Sequence, residues 1–302
     1  VEDMSFILTN LLDIDNYLKS INNNELSFDS LKMIIEEAGK FACDELDTIN
    51  QVGDQEGIKL ENGVVRMPES FIKAYKKFVN TGWFSIIGEK KYGGQDLPLS
   101  AVVMINEIWH STNMSFATNN MLTQGAVELL ESHGSEKQKE YYLPNLISGK
   151  WSGTMNLTEP HAGSDLSSIK TKAIEKDKQF LIKGTKIYIT HGDQDMSDNI
   201  IHLVLAKLPN APEGVRGISL FLVPKYYLND KGTKVKNDIK VVSVEHKLGH
   251  HASPTCVLSF GENEGAIGDL IGEPNQGLKA MFTTVSYTHL RAHETVLDLV
   301  CR

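Results

Sequence analysis

The chain changes its hydrophobic period once, near Trp151, and that switch constrains its fold more than any other feature. Before it, apolar residues recur at three- and four-residue spacing. From Phe28 onward Leu31, Ile34, Ile35, Ala38, Phe41 and Ala42 share one helical face, with Ser27 placed to cap the N-terminus. Pro68 and Glu69 open a second helix carrying Ile72, Tyr75 and Val79, because proline's fixed φ and missing N–H suit a first turn; it should end near Gly82. The run from Lys90 to Pro98 reads as a loop, since Gly93, Gly94 and Pro98 break both periods. Two further helices are expected over 100–110 and 121–133, the second ending in a left-handed Gly134. Ser135 followed by Gln138 is a capping box that starts another helix, stopping near Gly149.

After Trp151 the residues become β-branched and the segments short. Strands are expected over 171–175, 179–182, 186–190, 200–208, 217–223, 240–244 and 255–260, separated by Gly, Pro, Asn and Asp turns with no helical pattern between them. From Asn275 to Phe282 the helical period returns. The fold class is thus α+β, an N-terminal all-helical domain followed by a β-sandwich or barrel. We place a helical extension at 1–27, the helical domain at 28–150, the β domain at 151–265 and the start of a C-terminal helical domain, largely absent, at 266–285.

With 302 residues, 41% hydrophobic and 23% charged, the chain is long enough for two cores. Thirty-nine acidic residues against 30 basic ones give a net charge of -9, which repels a phosphate backbone and argues against a nucleic-acid partner. The longest apolar runs, such as Ile200 to Leu205 with His202 inside, fall far short of the roughly 20 residues that span a bilayer, so no membrane partner is expected. Cys43, Cys256 and Cys301 lie far apart and match no metal spacing, which points to free thiols and a cytoplasmic compartment. The first residue is Val1, and the chain reads as a fragment.

The densest chemical signal is 155–165, Met-Asn-Leu-Thr-Glu-Pro-His-Ala-Gly-Ser-Asp, a strand running into a turn rich in hydroxyls. Gly163 lets backbone approach a ligand, and Thr158 and Ser164 offer hydroxyl donors. On composition alone the stretch is a Ser or Asx turn without a ligand. It closely resembles, however, the signature loop of the acyl-CoA dehydrogenase family, and Lys186-Ile187-Tyr188-Ile189-Thr190 is similar to that family's second flavin segment. Lys247 to Gly249, Ala252 to Cys256 and Gly272 to Gly277 resemble the segments that follow, so the likeness runs from about Phe28 to Val285. Within the family, the wording 91–98 and 245–256 is most similar to the subgroup that includes 3-methylthiopropanoyl-CoA dehydrogenases.

The resemblance implies FAD as cofactor, an acyl-CoA thioester as substrate and insertion of an α,β double bond. It implies that Leu157 and Thr158 meet the pyrimidine edge of the flavin, where a backbone N–H and a hydroxyl stabilise arriving negative charge. Met155 would sit beside the ring, and Gly163 and Ser164 near the FAD phosphates and the acyl chain, with Ser164 also contacting substrate. Tyr188 stands where many members carry tryptophan, flanked by Ile189, and Thr190 would bond near the reactive nitrogen. The family's base is a Glu of the C-terminal helical domain, expected after Val285, so no catalytic base is expected in this chain and the fragment is expected to be inactive. Glu159 is structural in the family. The resemblance further implies an electron-transfer flavoprotein as partner and a homo-oligomeric full-length protein. An acyl-CoA oxidase, told apart by oxygen reactivity, and a non-enzymatic binding relative are the alternative readings.

Other features read as structural. His246, His250 and His251, and the pair His289 and His293, lack a metal-site pattern and read as solvated histidines. Trp83 and Trp109 read as core, and Lys73 to Lys77 as a solvated helix face. Residues 286–302 depart from the family altogether and read as an appended foreign tail.

Overall fold

The computed structural model describes residues 1–282 apart from Asn22, Asn24, Lys178 and Asp230. The expected tail at 286–302, with His289, His293 and Cys301, lies outside the described residues.

Among the described residues, seven α-helices precede the main sheet: α1 (Glu2–Phe6), α2 (Ile14–Ser20), α3 (Phe28–Phe41), α4 (Thr48–Glu56), α5 (Glu69–Asn80), α6 (Leu99–His133) and α7 (Glu136–Ile147). Ser27 caps α3 and Ser135 caps α7, each in a reciprocal capping box. Helix α6 is two helices rather than one. Asn113 leaves helical geometry at φ -150 and ψ 87, and Asn106 donates to Gln124 at 3.0 Å across 18 residues. A straight helix would hold those residues about 27 Å apart, so the arms 99–112 and 114–133 fold back on each other. Gly134 corrects its expected left-handed conformation: it is extended at φ -70 and ψ 147. Glycine is needed there for space, because a Cβ would lie 2.6 Å from the Leu130 carbonyl oxygen.

The helical half also contains a hairpin that helical periodicity hid, β1 (Lys59–Glu61) with β2 (Val64–Arg66), turning on Asn62 and Gly63 at positive φ. The remaining strands are β3 (Trp151–Asn156), β4 (Lys172–Lys176), β5 (Gln179–Thr190), β6 (Asn199–Lys207), β7 (Ile218–Pro224), β8 (Tyr226–Leu228), β9 (Lys234–Lys236), β10 (Ile239–Val244), β11 (Thr255–Phe260) and β12 (Ala266–Ile271). Two expected strands, 179–182 and 186–190, are one, β5, with Gly184 inside it at φ +157 against Thr171. The segment after 265, expected to begin a helical domain, first forms β12 between β5 and β7; helix returns only at 277–282.

Strands β4, β5, β12, β7 and β6 pair in a ring, closed where Lys172 meets Lys207, which resolves the expected sandwich or barrel into a barrel-like circuit. All of these pairs are antiparallel except that closure, and β3 adds to β6 in parallel. Beyond Lys183 strand β5 leaves the ring to pair with β11, which pairs in turn with β10. Strand alternation assigns the two cores. Ile201, Leu203 and Leu205 of β6 face the helices, while Val204 and Ala206 face the barrel interior with Phe221, Ile182 and Phe260. Trp109 is fully buried, and Trp83 packs half-buried against the same helical core.

Candidate functional site

The site is built where β3 ends and β5 bends. Helix α6 seats β3: the Gly153 N–H donates to Thr123 Oγ1 at 3.1 Å, and a Cβ on Gly153 would lie 2.4 Å from that of Ala126. Past Asn156 the chain leaves the sheet and turns tightly at Glu159 and Ala162, which exchange backbone hydrogen bonds of 2.9 and 3.0 Å. The Ile187 N–H donates to the Thr158 carbonyl at 2.9 Å, so the start of the loop, 157–159, lies against β5 although the two are far apart in sequence.

Strand β5 carries a β-bulge at this point. Ile189 pairs with Cys256 and Lys186 with Leu258, so the two residues Ile187 and Tyr188 oppose Val257 alone. Tyr188 takes up the extra length at φ +58, a left-handed conformation that a bulky side chain rarely adopts. The bulge reverses the strand's faces. Ile182 and Lys186 are buried, Tyr188 is turned out and 61% exposed, and Ile189 is buried among the β core.

Under the loop lies a buried ion pair. Lys186 Nζ donates to Glu159 Oε1 at 2.8 Å and to the Leu157 carbonyl at 2.9 Å. The Glu159 carboxylate also accepts from the Lys170 N–H (2.6 Å), the Thr171 N–H (3.1 Å) and Thr171 Oγ1 (2.6 Å). Burial opposes the Glu159 charge, yet Lys186 and these donors outweigh it and hold the carboxyl below the usual carboxylate range. Burial pulls the Lys186 ammonium down to about 8, against the pull of Glu159. Both groups are therefore charged near neutrality. Glu159 is fully engaged and its proton affinity is low, which fits the structural role expected of it and not that of a base.

Beyond the bulge, His191 joins the β and helical regions. Its N–H donates to the Pro254 carbonyl at 2.7 Å, and Nε2 lies 3.3 Å from both the Ser115 carbonyl oxygen and Ser253 Oγ. Burial drives its pKa down to about 4. At the turn that follows, Asp193 and Asp195 accept from the Val65 and Met67 N–H groups and so fasten β2 to the end of β5.

The residues singled out by sequence fall into two sets. Leu157, Thr158, Gly163, Ser164, Tyr188 and Thr190 lie on or beside the two strand ends, and Gly163 approaches Thr158 closely enough that an added Cβ would lie 4.0 Å from Thr158 Cγ2. Met155 is half-buried against the helical core, and Ile189 points into the β core, so it offers a ligand only its backbone. Among the described residues, the Thr158 N–H and the hydroxyls of Thr158, Ser164 and Thr190 have no hydrogen-bond partner. Lys186 stands in the sequence only as part of a motif and Glu159 as a structural residue of the loop; their pairing is a tertiary contact that no period records. His191 had no sequence signal. His246, His250 and His251 form no metal centre: His251 is bonded to Asp54 and to the Lys247 carbonyl, and no group of three His, Cys, Asp or Glu among the described residues is arranged to hold a metal.

Comparison with known proteins identifies the family of the chain. A family model for the acyl-CoA dehydrogenase N-terminal domain matches residues 29–150, and one for the acyl-CoA dehydrogenase middle domain matches 154–262. The chain is 44% identical over 284 residues to a 3-methylmercaptopropionyl-CoA dehydrogenase of Ruegeria pomeroyi, covering 93% of this chain and 48% of that one. It is 35% identical over 302 residues to a butyryl-CoA dehydrogenase of Syntrophomonas wolfei, covering 96% and 49%. The chain therefore spans about half the length of the curated relatives it matches. Among solved structures, an acyl-CoA dehydrogenase from Geobacillus kaustophilus superposes with a TM-score of 0.72 at 25% identity, over 89% of this chain and 64% of that one.

Proposed function

This chain belongs to the acyl-CoA dehydrogenase family, and from that premise we propose that it forms the flavin-seating part of an FAD-dependent enzyme that introduces an α,β double bond into an acyl-CoA thioester. The observation that carries the reading is the set of unpartnered donors at the ends of β3 and β5. These donors are half-buried or exposed and open to water, and their placement at the ends of two strands held together by the Ile187–Thr158 bond offers a ligand several directional contacts at once.

FAD fits those residues. The Thr158 N–H and hydroxyl would hold the pyrimidine edge, Tyr188 would cover the ring from its exposed position on the bulge, and Thr190 would donate at the end of β5. Gly163 and Ser164, both exposed, would receive phosphate and acyl groups. FAD, when bound, supplies the acceptor for the hydride leaving the β carbon. The chain's own residues orient that acceptor and stabilise negative charge on its edge through fixed donors, which need no reorganisation during reaction. The α proton must pass to a carboxylate other than Glu159, whose oxygens are occupied by Lys186, Lys170 and Thr171.

The similarity to the Ruegeria pomeroyi protein favours a short sulfur-containing acyl group, 3-methylthiopropanoyl-CoA, as substrate. We further assign an electron-transfer flavoprotein as acceptor and a homo-oligomeric state to the full-length protein. No helix among the described residues is long and apolar enough to cross a membrane, and the exposed Cys43 and buried Cys256 are free thiols, which supports a reducing, cytoplasmic compartment. The test is an absorption spectrum of the full-length protein before and after anaerobic addition of a panel of acyl-CoAs. Bleaching of a bound flavin by 3-methylthiopropanoyl-CoA is expected. A flavin that no thioester reduces would overturn the dehydrogenase reading, and rapid reoxidation by oxygen would move it to an oxidase.

A further inference from the structure

The buried pair beneath the loop has a use beyond holding the fold. We infer that Lys186, braced by Glu159, is a positioning residue that aims and polarises the Leu157–Thr158 peptide as a donor toward the flavin edge. The inference rests on the flavin reading and deepens it.

Three features of the geometry lead there. The carbonyl that Lys186 grips belongs to Leu157, and the N–H of the same peptide unit belongs to Thr158. A trans peptide is planar, so its C=O and N–H point in opposite directions; fixing one fixes the other. That N–H has no acceptor among the described residues. The next carbonyl, of Thr158, is held by the Ile187 N–H, so two successive peptide units are clamped and the donor between them is left free.

The chemistry explains why a charged clamp differs from a neutral one. Lys186 is 0% exposed, and in a medium of low polarity a cation at the carbonyl end draws electron density along the peptide, making the N–H at the other end a stronger donor. A backbone N–H or an amide at the position of Nζ would hold the loop equally well without this effect. A lysine buried at this cost has to be kept charged, and Glu159 does that with one oxygen while its bonds to Lys170 and Thr171 fix its own orientation.

Four forms of the full-length protein separate polarisation from plain support: the unmutated protein, Lys186→Arg, Glu159→Gln and the double variant Lys186→Gln with Glu159→Gln, whose amide at 186 keeps a neutral donor for the Leu157 carbonyl. For each, the thermal midpoint, the FAD dissociation constant by flavin fluorescence and the flavin reduction potential are measured. The double variant removes both charges and leaves neither buried without its partner, although the amide nitrogen introduced at 159 cannot replace one accepting oxygen, so a midpoint lowered by the worth of about one buried hydrogen bond is expected. We expect it to bind FAD roughly tenfold more weakly, about the worth of one charge-assisted hydrogen bond, with a more negative potential. Lys186→Arg should keep both close to the unmutated values, because the charge remains. Glu159→Gln should fall between, and it carries the test if the double variant does not fold. Unchanged FAD affinity and potential in the double variant, or in Glu159→Gln where the double variant does not fold, would overturn the positioning role while leaving the flavin reading intact. Failure of the unmutated protein to hold FAD would overturn both.

Discussion

Trp109, Phe71 and Phe78 are among the largest fully buried side chains of the helical region; in the β region Lys186 stands in the same class beside Phe221 and Phe260. The helical core is a set of edge-on rings. Phe78 alone meets Phe41, Phe84, Trp109 and Phe116 at centroid distances of 5.2 to 5.7 Å. Such packing stabilises through area and shape and says little about where any one atom must sit. Both regions also bury polar groups: Asn106 and Gln124 join the two arms of α6, while in the β region Glu159 with Lys186, His191 and His202 are each held by directional bonds. The rings of the helical region supply most of its stability, whereas Glu159, Lys186 and His191 of the β region fix the strand ends where a ligand is to be met.

The largest effect that could break this comparison is expected from Phe78→Ala. Emptying the centre of the ring cluster should cost about 4 kcal/mol in denaturant unfolding. FAD affinity per folded molecule should not move, and a parallel loss of affinity would show that the two regions are not separable in this way.

Acid should act on the other region. Burial drives His191 down to about 4 and His202 to about 3, the latter aided by the Lys225 charge, from an ordinary value of 6.5. The folded chain then binds fewer protons than the unfolded chain below that value. Stability is full above pH 6.5 and is lost as pH falls toward about 4, by roughly 3 kcal/mol from His191 alone. His191→Asn should flatten part of the slope of thermal midpoint against pH over that window. An unaltered slope would remove His191 from the account.

Gly153→Ala probes the seam itself. The added methyl would press on Ala126 at 2.4 Å and push α6 off β3, with an expected cost of about 2 kcal/mol and weaker FAD binding together. A loss of stability with full FAD affinity would show that β3 does not depend on α6 for its position. The smallest effect belongs to Ser135→Ala, which removes the α7 cap bond to the Gln138 N–H for about 1 kcal/mol and should leave flavin affinity untouched.

How legible these regions were follows from the kind of interaction that builds each. The helices over 28–41 and 69–80 and the caps Ser27 and Ser135 follow from local spacing and backbone satisfaction, and the structure has them. Strand β12 was missed because Ala266, Gly268 and Asp269 dilute its β-branched signal and its place is set by β5 and β7 on either side. The β1–β2 hairpin was overlooked although Asn62-Gly63 is a turn signal, because helical segments flank it closely. At the site, the loop and the β5 segment were legible as motifs. Their meeting was not, since it depends on a bulge that reverses the strand's parity at Tyr188 and on an ion pair between residues 27 positions apart. Alternation would have put Tyr188 on the same face as Lys186, inside the protein.

The most direct test of the central claim is a crystal structure of the full-length protein with FAD bound. The flavin ring should lie at the ends of β3 and β5, with its pyrimidine edge within hydrogen-bonding distance of the Thr158 N–H and Tyr188 against its face. A flavin found elsewhere, for instance in the cleft of about 810 Å³ lined by Tyr141, Trp151, Tyr226 and Asp269, would contradict it.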